Sequence, residues 1–375
     1  MPEEALGYSW YDAMDTSQPV TETKFYYVLI VDKENPDIIK CIVPCFLKSV
    51  PIDLTLPEGV SKVLRFILKP FSGILYQRVL FIGSLVARGH IGISPHIKRH
   101  DFMEVVDKAF MHLRQEAKAK ITVWKDVNLE DDRELQGELC CRGYFQMISF
   151  PEMAKQLKGA TFQEHLKHIS TSRARKLASR IKKAKQGISY EPVIFKNPSE
   201  EDVALFYTFF EQNYEKYASN RVRFESIHPE YFQKMAKADD NVFISLQSQG
   251  KIIALWQSVV RGKTLYSIYY GIDYARFGDR SNLYFALEEP VVTYALSQGI
   301  QKIYIGQNSY TVKFDMGYLP EPLYSYAKHE TSWLHKIFRK LLMGNTWADL
   351  SPELATYLKA HPETLKTFDS FSSAP

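Results

Sequence analysis

The sequence predicts a mixed α/β protein made of two tandem units, each a largely antiparallel mixed sheet flanked by helices. Three observations lead there. Residues Asn241–Tyr318 spell a strand meander, a helix and a last strand in that order. The first half of the chain repeats this order of elements. The chain also has 375 residues, 45% of them apolar and 14% aromatic, enough to fill more than one sizeable core.

In the second half, Asn241–Gln247 turns at Gln249-Gly250 into Lys251–Val260, turns again at Arg261-Gly262 and continues as Leu265–Asp273. Each run is rich in β-branched and aromatic residues, which fit a pleated, half-buried surface. Beyond the Arg276-Phe-Gly-Asp-Arg280 turn, Ser281 or Asn282 is placed to cap a helix. Its apolar residues Leu283, Leu287, Val291 and Tyr294 recur at helical spacing, and Gly299 supplies the stop. Pro290 removes one backbone donor inside this helix and predicts a kink. Ile300–Gly306 reads as the last strand and delivers Gln307–Asp315 to a strand end.

In the first half, Lys24–Val31 and Ile38–Leu47 form a hairpin, Arg78–Leu85 a third strand, Asp101–Ala119 a helix and Ile121–Trp124 a strand. The offset between corresponding elements shrinks from about 215 to about 185 positions, as an extra segment of about 30 residues around Ser49–Gln77 would produce. The expected division is 1–155 for the first unit, 156–330 for the second and 331–375 for a helical tail. That tail contains Thr331–Met343, a helix near Pro352–Ala360 and a polar, disordered Ser370–Pro375 end.

A net charge of only +4 gives no case for a DNA-binding polycation, so any basic effect is local. Cys41, Cys45, Cys140 and Cys141 lack zinc-finger or redox spacing, and the start of the chain lacks a basic-then-apolar leader. Both predict reduced thiols and a cytoplasmic protein. The apolar window Val63–Ala87 is broken by Arg65, Lys69, Pro70, Gln77 and Arg78, so no span of a bilayer is expected. His90, His96 and His100 cluster without a carboxylate at helpful spacing, and no metal is expected.

Between the halves, Thr161–Gly187 holds Arg173, Arg175, Lys176, Arg180, Lys182, Lys183 and Lys185 with one acid, Glu164. As a helix from Ser170 or Ser172, it would bury Leu177 and Ile181 one turn apart and cover the rest of its circumference with cations. Such a surface attracts a phosphate-bearing partner or lies solvated. In Ser332–Met343, apolar Trp333, Leu334, Ile337, Phe338, Leu341 and Leu342 lie opposite His335, Lys336, Arg339 and Lys340. This pattern suits an anionic membrane surface, peripheral on the inner face, or docking on the protein itself.

One stretch carries a family pattern. Phe162-Gln-Glu-His-Leu-x-x-Ile-Ser-x-x-x-Arg173-x-Arg-Lys, the basic helix, the helix Glu200–Tyr217, the meander and Ile303-Tyr-Ile-Gly-Gln-Asn-Ser-Tyr310-x-x-Lys313-x-x-x-Gly317-Tyr resemble the FemAB-like acyltransferases of the GNAT superfamily. The resemblance is best over Thr161–Tyr326. It implies an enzyme that transfers an acyl or aminoacyl group to a primary amine, with no permanently bound cofactor. It implies acyl-CoA, an acyl-carrier protein or aminoacyl-tRNA as co-substrate. Two departures narrow this. Arg276-Phe-Gly278-Asp279-Arg280-Ser281 lacks the paired glycines of an acetyl-CoA pyrophosphate loop. No a/d heptads run over three repeats, so the coiled coil frequent in tRNA-dependent members is missing, which disfavours tRNA.

Acyl transfer needs an oxyanion stabilised and a proton moved from amine to leaving group. Lys313, at the expected strand end, is the candidate cation, Tyr310 the candidate proton donor and Asp315 the candidate acceptor of the amine's proton. Asp273, Tyr269, Trp256, Gln307 and Asn282 are candidates to line the substrate pocket, and Arg173, Arg175 and Lys176 to hold the donor. The alternatives are a tRNA-dependent aminoacyltransferase and a catalytically idle anion- or lipid-binding protein that keeps the fold.

Overall fold

A computed structural model describes residues 7–17, 23–51, 76–86, 88, 91–94, 96–128, 133–217, 227–307 and 309–372. The apolar run 63–75, His90 and Asn308 therefore lie outside the described residues. The chain forms two compact units, each discontinuous in sequence. One comprises Met1–Glu4, Pro19–Pro151 and Pro322–Pro375, the other Ala5–Gln18 and Glu152–Glu321.

The first unit opens with β1 (Thr23–Val31), β2 (Ile39–Pro51) and β3 (Tyr76–Ile82), paired antiparallel in that order. A two-residue β4 (Gly92–Ile93) adds to β2. A helix, Arg99–Glu116, then returns the chain so that β5 (Ile121–Val127) runs parallel to β3, from Val79↔Ile121 to Ile82↔Trp124. Phe46 stacks on Phe81 at 4.9 Å and Phe110 meets Trp124 edge-on at 5.7 Å, so aromatic packing holds sheet and helix together. The helix Arg133–Cys141 leads into β6 (Phe145–Gln156).

The second unit repeats the plan. β7 (Glu191–Phe195), β8 (Asn241–Ser248), β9 (Lys251–Arg261) and β10 (Thr264–Ile272) form an antiparallel meander. The helix Leu283–Ser297 then returns the chain to β11 (Lys302–Ile305), parallel to β10. That helix passes through Pro290 as one continuous element. Gly299, at φ 68°, ends it as its sequence predicts.

The expected contiguous division differs from the observed one because two strands change places. β6 follows β5 in the chain yet pairs antiparallel with β11, from Lys302↔Gln156 to Ile305↔Met153. The strand after β11, β12 (Leu319–His329), pairs instead with β5, from Tyr324↔Val127 to His329↔Ile121. Residues after Pro322 therefore pack with the first unit.

Ser370–Ser372, the described part of the polar end, is helical where its composition predicts disorder. A helix spans Pro362–Ser372, with Phe368 packed on Trp347 at 4.8 Å and its carbonyl accepting the Tyr324 hydroxyl at 2.7 Å. A buried aromatic anchor outweighs a polar, helix-indifferent sequence.

Candidate functional site

In the second unit, β10 and β11 pair from Thr264↔Lys302 to Ser267↔Ile305 and then part. Where they part, β10 carries a bulge against β9, between Ser267 and Tyr269, so Ile268 has no opposite residue there. β10 runs on to Ile272, whereas the chain after β11 turns away through Gly306. Ile268–Ile272 of β10 therefore have no pairing with β11.

Several expected site residues sit elsewhere than the sequence predicts. Lys313 is not at an exposed strand end. It belongs to a short helix, Tyr310–Asp315, is 7% exposed, and its ammonium donates to the Gly306 and Gln307 carbonyls at 2.7 and 3.3 Å. These are the carbonyls that β11's ending leaves without a ladder, so Lys313 satisfies them. Tyr310 is buried at the start of the same helix, stacked on Phe314. Asp315 pairs with Lys176 at 3.0 Å, which ties this helix to the basic one. Asp273 caps the helix Tyr274–Phe277 by accepting the Arg276 N–H. Asn282 precedes the helix Leu283–Ser297 in a left-handed conformation, its side chain accepting from Arg180 at 3.1 Å rather than capping.

Tyr269 and Trp256 do not share a pocket. Tyr269 packs on Phe210, Tyr231 and Phe232 on one face of the sheet. Its neighbour Tyr270 packs with Trp256 and Tyr284 on the other. Adjacent strand residues point to opposite faces, which separates the two. In the first unit, His100 bonds Glu138 at 3.1 Å.

A cleft of about 250 Å³ opens where β6 ends. Lys155, Lys158, His168, Ile169, Ser170 and Arg173 line it, with Gly317, Leu319 and Glu321 across from them. The local sequence builds it in steps. Thr161 caps a short helix, Phe162–Leu166, and Ser170 then caps the basic helix Thr171–Gly187. Leu177 and Ile181 are buried as their spacing predicts. No acid occupies the first turn, so the positive end of a long helix and Arg173 meet at the cleft. Gly317, at φ 91°, admits a close approach by Ile169, whose side chain a Cβ there would meet at 3.2 Å. Among the three expected donor-binding residues, only Arg173 lines the cleft. Arg175 is exposed on the helix, and Lys176 is engaged by Asp315.

Behind the cleft lies a charge cluster without a local sequence signature. Lys155 and Glu288 form an ion pair with side chains 1% and 0% exposed. The Tyr318 hydroxyl donates to the second Glu288 oxygen at 3.2 Å, and the Lys155 ammonium stands 4.1 Å above the Tyr318 ring. Burial outweighs the Glu288 attraction and holds Lys155 below the ordinary lysine range. Burial and then the Glu288 charge push Tyr318 well above the usual tyrosine range. His165, also buried, accepts the Lys158 N–H through Nδ1 at 3.4 Å. Burial, reinforced by the Lys155 charge, lowers its pKa to about 4. The one hint in sequence is a carboxylate inside an apolar helix face, Leu287-Glu288-Glu289-Pro290.

This fold has known counterparts. FemX aligns over 90% of this chain and 95% of its own, with a TM-score of 0.56 at 11% identity. A protein titled the structure of L-PGS from Bacillus licheniformis aligns over 92% and 99%, at 0.50 and 12%. The C-terminal domain of a putative lysylphosphatidylglycerol synthetase from Agrobacterium fabrum aligns over 90% and 92%, at 0.50 and 10%. At these identities the likeness is one of fold. It agrees with the FemAB-like architecture expected from the sequence. No protein-family model matches the chain, and no curated protein does either.

Proposed function

We propose that the second unit is an N-acyltransferase, moving an acyl or aminoacyl group from a thioester or ester donor to a primary amine. The observation that carries this reading is the cleft at the head of the basic helix, where Arg173 and Lys158 meet a helix N-terminus. That combination favours a phosphate-bearing donor such as acyl-CoA, an acyl-carrier protein or aminoacyl-tRNA. The stretch of β10 that β11 leaves without pairing accommodates the extended part of the donor, with backbone N–H groups near the Ile268 bulge stabilising the oxyanion.

The neutral amine attacks the carbonyl carbon, the carbonyl π pair moves onto oxygen, and collapse of that oxyanion expels the thiolate or alkoxide. The proton lost by the amine ends on the leaving group. His168, which borders the cleft, is placed to carry it. Lys313 acts by fixing the Gly306–Gln307 turn, as a positioning residue. The Lys155–Glu288–Tyr318 cluster supports the cleft's rear wall.

The acceptor's class is read from the helix Ser332–Leu342. Trp333, Ile337 and Leu341 are 62%, 45% and 41% exposed and follow one another at four-residue spacing. Phe338 turns inward instead, against His329 at 5.4 Å. An exposed apolar stripe beside Lys336 and Lys340, on a helix without an acid, suits an anionic bilayer surface, and an amine on a lipid or cell-envelope precursor fits that placement. No helix among the described residues is long and apolar enough to cross a membrane.

The test is direct. The protein is incubated with each of the three donor classes and a set of primary amines and amino-lipids, and amide formation is read by mass spectrometry. The reading expects a new amide that Arg173→Gln makes more slowly at limiting donor. Donor binding without any amide would favour an idle anion-binding protein, and activity confined to aminoacyl-tRNA would favour the tRNA-dependent alternative.

A further inference from the structure

The helix Ser332–Leu342 begins in a way that acyl transfer does not require. Its N-cap, Thr331, makes no side-chain bond to the first turn, and no acid stands there. Two histidines fix the entry instead. The Thr331 N–H donates to Nδ1 of His329 at 2.9 Å, and the His329 N–H donates to Nδ1 of His335 at 3.2 Å, so two imidazole nitrogens join the end of β12 to the first turn. A ring nitrogen that accepts an N–H carries no proton, so both rings are neutral in this arrangement.

The helix is otherwise lightly seated. None of its residues is buried. Leu334, His335 and Phe338 are half-buried, with His335 edge-on to Phe145 of β6 at 5.2 Å and Phe338 against His329 at 5.4 Å. Each histidine is thus both a wall of the seat and a hydrogen-bond acceptor. The charges around them are mostly positive. Lys120, just before β5, and His335 face His329, opposed by Glu330, while Arg339 and Lys328 face His335. The Cys140 thiol of the helix Arg133–Cys141 lies beside Arg339. Burial first, and then these cations, hold both histidines below their ordinary value of 6.5.

We propose that His329 and His335 form a pH-sensitive latch: with both neutral the helix lies against β6 and β12, and protonation frees it, adding Leu334 and Phe338 to the apolar stripe shown to a bilayer. The last step rests on the membrane reading above, whereas the latch itself does not. A proton on Nδ1 turns an acceptor into a donor that faces another donor. On His335 it also adds positive charge to the positive end of a helix. The freed state binds more protons than the seated one, so the latch is closed above pH 6.5 and opens as pH falls. An anionic surface concentrates protons as it does other cations, so opening is favoured there.

Amide hydrogen exchange across Ser332–Leu342, followed from neutral pH to about pH 5.5, tests the latch. Corrected for the intrinsic rate, exchange should speed up on acidification by about ten-fold per pH unit for each histidine that takes up a proton on opening. His329→Asn and His335→Asn each keep an acceptor oxygen near the place of Nδ1 but do not titrate. Each should weaken the pH dependence, and the double variant should abolish it. Nitrogen-15 spectra of the parent's imidazoles keep the test independent of how the variants fold, because they must show both Nδ1 atoms unprotonated and both rings titrating below 6.5. Exchange indifferent to pH, or rings that titrate at 6.5 or above, overturns the latch. Flotation with anionic vesicles should rise on acidification in the parent and not in the double variant. An equal rise in both overturns the coupling to the bilayer. Exchange that follows pH without flotation at either pH upholds the latch and overturns the membrane reading.

Discussion

Lys155 on β6 and Glu288 in the helix Leu283–Ser297 form an ion pair sealed from solvent, with Tyr318 bonded to the free carboxylate oxygen. Attraction in a poorly solvated site roughly balances the cost of desolvating both charges, but removing one partner leaves the other stranded. Lys155→Met is therefore expected to lower stability by about 3–5 kcal/mol. Lys155→Met with Glu288→Gln should recover much of that loss, because the second change removes the orphaned charge and keeps an acceptor for Tyr318. Denaturant melts of the three variants check this, and equal losses in the single and double variants would count against a coupled pair.

Lys313 is expected to matter for folding as well as turnover. Its ammonium satisfies two carbonyls at the turn after β11 and is nearly buried. Loss of hydrogen bonds to a charged donor costs about 1.5–3 kcal/mol. Lys313→Ala should lower stability by roughly 2 kcal/mol, and Lys313→Arg should restore part of it. A variant as stable as the parent yet inactive would return Lys313 to direct chemistry.

His165 gives a pH dependence with a definite sign. Burial and Lys155 lower its pKa from 6.5 to about 4 in the folded protein, so between those values the unfolded chain binds more protons. Its contribution is fully present above pH 6.5 and is lost as pH falls toward 4. Melting temperature should therefore drop over that window, and His165→Gln should flatten the drop. An unchanged acid-side slope in the variant would remove His165 as its source.

The sequence was legible where periodicity and local chemistry decide structure. The meander, the helix Glu200–Tyr217 and the buried Leu177–Ile181 stripe follow from alternation, helical spacing and caps. The exchange of β6 and β12 is a choice of partner between distant segments, which no local pattern encodes. Local pattern misplaces Lys313 because β11 ends at Ile305 and Ser309, at φ 51°, starts a helix where strand-like Tyr310-Thr-Val312 suggests extension. The Lys155–Glu288 pair joins residues 133 positions apart and appears only when a strand and a helix are packed together.

Two basic regions divide the expected work between donor and membrane. Arg173 and Lys158 line the cleft, so reversing both to glutamate should raise the donor's KM steeply and in a salt-dependent way, with liposome binding intact. Changing Trp333, Ile337 and Leu341 to serine should do the opposite, because their exposed apolar area is what a bilayer would cover, at about 25 cal/mol per Å². Leu341 belongs in this set in place of Phe338, which packs inward on His329. Flotation with anionic and with neutral vesicles separates charge from apolar insertion, since Lys336 and Lys340 contribute only with the former. If both variants lose the same property, the two regions form one surface and the division fails. If neither affects flotation, the exposed stripe of the Ser332–Leu342 helix serves something other than a lipid surface.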